Sequence, residues 1–154
     1  MREFGSLSAF AEHLASLAVE VPPAQHKALG TALVILEKDM SEQIGHYQGR
    51  AGPHPEWAPL ADSTEDEKAR LGYPADAPLL REGDLQDSFN HEQQGDEGIV
   101  GSTDLKMVYH EAGTSRMPPR PVVGPALFKN RKKIESLLGE ATFEVVKGGG
   151  IKPW

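Results

Sequence analysis

The spacing of apolar residues predicts two helices in the first third of the chain, within about residues 6–46. Ser6 can cap a short amphipathic helix that Pro22-Pro23 is expected to end. A second helix of about 22–25 residues is expected from Pro23, because apolar residues then recur every three or four positions. The residues of this stripe are Leu29, Leu33, Leu36, Met40 and Ile44. The apolar face of this helix must pack against another element, and a sheet later in the chain is the expected one.

The pattern changes after the second helix. Residues 49–59 hold three prolines and two glycines, which excludes a helix or a central strand and predicts a loop that carries Trp57. Asp62 or Ser63 can then cap a short charged helix with acids in its first turn, and Gly72 is expected to end it.

Extended structure is predicted next. A hairpin is expected to start near Leu85, to turn at residues 94–98 and to return through residues 99–101. Residues 106–110 supply a candidate third strand, which Gly113 and the following prolines are expected to end.

The last part of the chain is expected to contain a helix and a strand. Residues 121–125 should be extended, after which Pro125 can open an apolar helix that Gly139 closes. Residues 142–146 suggest a last strand, and residues 148–154 a flexible tail after three consecutive glycines.

These elements predict an α+β fold in which a small antiparallel sheet packs against one long helix, with additional short helices and long Pro/Gly-rich loops. The 154 residues match one domain over 1–147, with its loop and sheet region at about 50–123 and its C-terminal helix and strand at about 125–147. The chain has no cysteine, an export signal is not evident, and its longest apolar run is far shorter than a membrane span of about 20 residues. We therefore expect a soluble protein.

Charge is distributed unevenly along the chain. The net charge is −7, which argues against a nucleic-acid binder. Residues 1–110 hold 8 Lys and Arg against 19 Asp and Glu, whereas residues 111–154 hold 8 against 4. Two interpretations stand: a solvated acidic face beside a basic last helix, or head-to-tail association of the basic end of one copy with the acidic body of the next.

Glycine, proline and aromatic residues are concentrated between Trp57 and Pro125, which favours a loop-rich assembly surface over a catalytic pocket. Trp57 either fills one end of the core or anchors a contact between subunits. Arg120 lies on a stiff proline-rich segment, from which it can reach a carboxylate of its own chain or of a neighbour.

Catalytic and metal-binding patterns fail on their spacing. His110-Glu111 lacks the second histidine of the zinc-protease helix motif, and His46 and His54 have no supporting ligand spacing. Neither a nucleophile elbow nor a phosphate-binding glycine loop is present. We therefore predict no catalytic residue, no cofactor and no metal.

The order of several short elements resembles small virion-morphogenesis proteins of tailed bacteriophages, described as tail-completion, minor tail or head-tail joining proteins. A Trp-x-Pro-Leu element follows the long helix, then a Leu-x-x-Gly-x-Leu element, a Tyr- and His-containing element and a closing Pro-x-Arg-Pro. The sequence departs from the family pattern at Glu82, Pro119 and Val122. The residues that match are Trp57, Pro59, Leu60, Leu80, Gly83, Leu85, Tyr109, His110, Gly113, Pro118, Arg120 and Pro121.

The resemblance implies a structural protein without catalysis. Copies would form a homo-oligomeric ring at the neck, contact other neck and tail proteins, and let DNA pass through without specific binding. The implied location is the virion, with assembly in the host cytoplasm. Two alternatives stay open: a host-directed phage binding module, and a small hydrolase that uses His110 with Glu111 or Asp84.

Overall fold

The computed structural model describes residues 6–147. Its one long helix, shorter helices and two-stranded antiparallel sheet confirm the predicted α+β class. The predicted tail at 148–154 lies outside the described residues. In chain order the elements are α1 (Leu7–Gln43), α2 (Asp62–Arg70), α3 (Asp84–Asp87), β1 (Phe89–Gln94), β2 (Glu97–Ser102), α4 (Lys106–Ala112) and α5 (Val123–Val146).

The N-terminal region is one helix, so the predicted break at Pro22-Pro23 is wrong. Helix α1 runs through both prolines, and Ser6 caps it as expected, its Oγ accepting the N–H of Ala9 at 3.1 Å. A proline has a helical φ, but it removes the hydrogen bond to the carbonyl four residues earlier, and its ring crowds that carbonyl. Here those carbonyls belong to Ala18 and Val19, which are exposed, so water can replace the missing donors.

The hairpin and the short charged helix are confirmed. Strands β1 and β2 are joined by Gly95 and Asp96, and Gly95 has a φ of +59°, as a two-residue hairpin turn requires. Helix α2 carries acids in its first turn. Its N-cap is Ala61 rather than Asp62 or Ser63.

Two segments predicted as strands are helical. Leu85 lies in α3, which follows Gly83 with its left-handed φ of +102°. Residues 106–110 lie in α4, and the described sheet contains only β1 and β2. A carboxylate oxygen of Asp104 accepts the N–H of Lys106 at 2.8 Å and so satisfies a donor at the start of α4. Only Met107 of α4 is buried, so the apolar residues 107–109 do not form the buried face of a strand.

The C-terminal region is also one helix. Helix α5 begins at Val123, inside the segment expected to be extended, and continues past Gly139 through the predicted strand at 142–146. A glycine inside a helix costs about 1 kcal/mol relative to alanine. Burial of Ala141 and Val145, four residues apart on one face, offsets that cost.

The chain divides into two compact units, each formed from separate segments. The predicted single domain over 1–147 stays a prediction. The first unit contains residues 1–32, 93–98 and 132–154. In its described part, Ala24 and Ala28 of α1 are buried, and the side chain of Gln25 donates to the hydroxyl of Thr142 at 3.3 Å.

The second unit contains residues 33–92 and 99–131, and it holds most of the large buried side chains. The predicted stripe of α1 contributes Leu33, Leu36, Met40 and Ile44 to its core. Strand β1 packs against α1 here, where the imidazole Nδ1 of His91 is hydrogen-bonded to the carboxylate of Glu37. The remaining large members of this core are Trp57, Leu85, Phe89, Met107 and Val122.

Candidate functional site

Trp57 is buried within its own chain. Its side chain is 4% exposed, its indole N–H donates to the carbonyl of Pro121 at 2.9 Å, and its backbone N–H donates to the carbonyl of Gln48 at 2.9 Å. Trp57 is therefore a core residue and not an anchor between subunits, because too little of its indole is exposed to contact a second copy. Trp57 joins the loop after α1 to the segment before α5.

Arg120 also joins the loop after α1 to the segment before α5. Its guanidinium donates to the carbonyls of Ala58 and Pro59 at 2.9 and 3.0 Å, and its backbone N–H donates to the carbonyl of His110 at 2.7 Å. No carboxylate of the described residues pairs with this guanidinium, so the first alternative is wrong, and a carboxylate of a neighbouring copy stays a prediction. The Pro118–Pro121 segment runs beside residues 58 and 59. The backbone carbonyls of these two residues, the second of which is a proline, accept the guanidinium N–H groups.

Glu111 caps helix α5 from outside that helix. One carboxylate oxygen accepts the N–H groups of Val122 and Val123 at 2.8 and 3.3 Å, and the other accepts that of Gly124 at 3.3 Å. The first N–H groups of a helix lack partners within it and favour a negative charge. Sequence reasoning considered Glu111 only as a metal or acid-base candidate, because a cap supplied by another helix leaves no local spacing to detect.

The Leu80–Gly83–Leu85 element also belongs to the second unit. Leu85 is buried, Gly83 takes the left-handed conformation that precedes α3, and Leu80 packs against Gly45 after α1. The N–H of Gly45 donates to the carbonyl of Pro78 at 2.8 Å, which ties this element to α1. Gly83 is thus required for its backbone conformation.

Gly113 ends α4 at a φ of +72°, and its position is tightly enclosed. A methyl group there would lie 2.9 Å from the backbone nitrogen of Pro119 and 3.0 Å from the carbonyl oxygen of Met117. Thr114 and Met117 exchange backbone hydrogen bonds and close a turn, after which the chain reaches Pro118. Close approach of the proline segment to α4 therefore depends on glycine at 113.

A cleft of about 700 Å³ lies within the second unit, surrounded by these elements. Trp57, Tyr109, Gly113 and Pro121 lie outside its lining, and the side chain of Tyr109 is 60% exposed. The structure thus brings together motif residues that are up to 61 positions apart in sequence. Those that line the cleft are Pro59, Leu60, Leu80, Gly83, Leu85, His110, Pro118 and Arg120.

The cleft is rich in cationic side chains. Five Lys and Arg residues line it against only two acids, Glu82 and Asp84. Arg81 forms an ion pair at 3.3 Å with Glu67, which does not line the cleft, and its guanidinium lies over the ring of Tyr73. The five cations are Lys68, Arg81, Lys106, Arg116 and Arg120.

Two of these cations are buried. Lys68 is 3% exposed and its ammonium donates to the carbonyl of Ala77, while Arg120 is 5% exposed. Burial is the main cause that lowers the pKa of Lys68, and the nearby Arg81 lowers it further. Burial likewise lowers the pKa of Arg120. Sequence reasoning missed Lys68 as a buried residue, because a lysine on a charged helix is ordinarily solvated.

His110 faces the cleft with a half-buried ring. Its Nδ1 atom is buried and has no hydrogen-bond partner among the described residues. Burial lowers the pKa of His110, and the charge of Arg120 adds to that effect. The carboxylate of Glu111 already accepts three backbone N–H groups, those of Val122 just before α5 and of Val123 and Gly124 in its first turn. Residues 6–147 contain no group of three His, Cys, Asp or Glu side chains placed to hold a metal.

Comparison with protein-family models, curated proteins and solved structures gives no match for this chain. Within residues 6–147, none of the helices combines the length and apolarity needed to cross a membrane.

Proposed function

We propose that this protein is a structural virion protein of a tailed phage. Copies form an oligomeric ring at the head-tail junction, which completes or terminates the tail and lets DNA pass, and they act in the virion after assembly in the host cytoplasm. The observation that carries the proposal is the convergence of the three motif segments around one cleft. Trp57 and Arg120 join two of these segments by hydrogen bonds to backbone carbonyls, an arrangement that suits a rigid building block.

A closed ring needs two different surface patches that fit each other. Among the exposed apolar side chains of the second unit, two groups are candidates for these patches. On and before α4 these are Leu105, Val108 and Tyr109, with exposed fractions of 78%, 62% and 60%. At the start of α5 they are Leu127 and Phe128, with 53% and 50%. Exposed aromatic residues of this kind dominate binding energy at many interfaces.

The charge distribution also supports a ring. Residues 1–110 carry the acidic excess and residues 111–154 the basic excess, so unlike surfaces can meet between successive copies. The net charge of −7 disfavours adhesion to DNA, because phosphate binding requires clustered cations on the surface. DNA can then pass through the ring without being held, and no catalytic role is needed.

The test is the oligomeric state of the purified protein, measured by light scattering and negative-stain electron microscopy. We expect rings, and we expect Tyr109→Ser to weaken their assembly by about tenfold in concentration. Val19→Ser is the matched control, because Val19 is 73% exposed and lies away from both patches in sequence. A protein that stays monomeric under all conditions and gives no density in tailed particles would refute the proposal. Copurification with a host protein instead of tails would favour the host-directed alternative.

A further inference from the structure

Two buried cations in the cleft lack an anionic partner. Lys68 and Arg120 are each more than nine-tenths buried, and their hydrogen-bond acceptors are neutral carbonyls. Within the part of the chain that the structure describes, neither side chain forms an ion pair, and Arg120 Nε has no hydrogen-bond partner. Glu65 and Asp76 act on Lys68 only beyond ion-pair distance.

Uncompensated buried charge is costly, because taking a cation out of water requires a partner charge to recover the lost hydration. A ligand that brings a carboxylate into the cleft would supply that charge. Arg116 and Lys106 add two exposed cations to the lining. Lys106 pairs with Asp104 at 3.4 Å, whereas the side chain of Arg116 has no ion pair with any described residue.

The shape of the cleft favours a protein segment over DNA. Apolar side chains share its lining with the cations; they are Leu60, Leu79, Leu80, Leu85 and Met117. A DNA duplex is bound by cations spread over an accessible surface, which can follow its phosphates. A concave site with apolar walls and a few charged groups instead fits an acidic side chain beside an apolar one.

The turn of the β1–β2 hairpin carries these side chains on the surface. Asp96 and Glu97 are adjacent and exposed, and Ile99 is 75% exposed. Glu97 and Ile99 are two residues apart in β2, so their side chains project from the same face of the strand.

We propose that the cleft of one copy binds the hairpin turn of a second copy, with Asp96 and Glu97 entering among its cations and Ile99 packing on its apolar wall. This inference rests on the proposed ring, for which it supplies one of the two complementary contacts. Arg116 is the first cation that an incoming carboxylate can pair with. Lys68 and Arg120 then gain the anionic neighbour that their own chain does not provide.

Charge reversal tests the contact in the full-length protein. We expect Arg116→Glu alone, and Asp96→Lys with Glu97→Lys, each to raise the concentration for half-assembly at least about tenfold. Adding Arg116→Glu to the reversed turn should restore part of the loss and no more, because Lys68, Lys106 and Arg120 keep their positive charge. The matched controls are Arg70→Glu and Glu92→Lys, which reverse exposed charges outside the cleft lining and the turn. Assembly that is unaffected by either reversal would overturn the inference while leaving the ring intact.

A second measurement does not depend on ring formation. A cyclised peptide with the sequence of residues 92–100 is titrated against the full-length Asp96→Lys, Glu97→Lys variant, whose own turn cannot compete. Saturable binding that Arg116→Glu abolishes supports the cleft contact even if no ring forms. Absence of binding to this variant overturns it. A duplex oligonucleotide that binds in the same way and displaces the peptide would identify DNA phosphate as the occupant, and the proposal would be wrong.

Discussion

Substitution of Glu111 by glutamine isolates the contribution of a single carboxylate to the link between α4 and α5. The glutamine side chain has nearly the same shape and is half-buried in the same place, but only one of its two terminal atoms can accept hydrogen bonds. The carbonyl oxygen can keep Val122 and Val123, whereas the amide group would face the N–H of Gly124. One charge-assisted hydrogen bond is lost, and the favourable interaction with the helix dipole is lost with the charge.

The magnitude follows from these two losses. A hydrogen bond to a charged group contributes about 1.5–3 kcal/mol, and a charge at a helix start about 0.3–1 kcal/mol. Because glutamine is easier to desolvate than a carboxylate, part of the loss is recovered. We therefore expect Glu111→Gln to lower the free energy of unfolding by about 2 kcal/mol. For a chain of this length that is a decrease of about 4–8 °C in Tm.

The assay is urea unfolding followed by circular dichroism, with the midpoint compared at unchanged slope. Glu92→Gln is the matched control, because Glu92 is exposed on β1 and makes no contact of this kind; its midpoint should change by less than about 0.5 kcal/mol in free energy. Equal midpoints for the two variants would show that the carboxylate of Glu111 does not hold the start of α5, and the cap described above would be refuted.

Three further predictions concern residues of the candidate site. Arg120→Met removes two charged hydrogen bonds and relieves one buried charge, and unfolding measurements should give a net loss of about 3 kcal/mol, against no loss if burial cost dominates. Gly113→Ala forces a methyl group into backbone at positive φ and should cost about 2–3 kcal/mol, whereas Gly49→Ala has open space and should cost far less. Because the pKa of His110 is lowered in the folded state, stability should fall as the pH drops below 6.5, and His110→Asn should reduce that fall between about pH 7 and pH 5.

Elements with a local signal could be predicted from the sequence. The hairpin has glycine and aspartate in its turn, and α2 has acids in its first turn, so both carry their own chemistry. The proline pair in α1 and the glycine in α5 misled because their penalties are local. Solvation of the exposed carbonyls in α1 and burial of Ala141 and Val145 in α5 outweighed those penalties. Neither solvation nor burial can be predicted from the proline or the glycine itself.

The sequence predicted which residues belong to the candidate site, but not which atoms they contact. Eight of the twelve motif residues line the cleft, including Leu80 and Arg120. The partners of those residues could not be predicted, because Arg120 and Trp57 bond to carbonyl oxygens, which every residue has. Lys68 and Glu111 were missed as structural residues for the related reason that each acts across a tertiary contact.

The hydrogen bonds of Trp57 and Arg120 constrain the sequence more strongly at the donor residues than at the acceptor residues. Both side chains donate to main-chain oxygens at residues 58, 59 and 121, so mutation at those three positions leaves the acceptors in place. Only the indole and the guanidinium are irreplaceable, since no other side chain offers the same donors at the same reach. Sequences can therefore diverge widely around this pair while the architecture persists, and a distant homologue would be recognised by its two donors and their spacing.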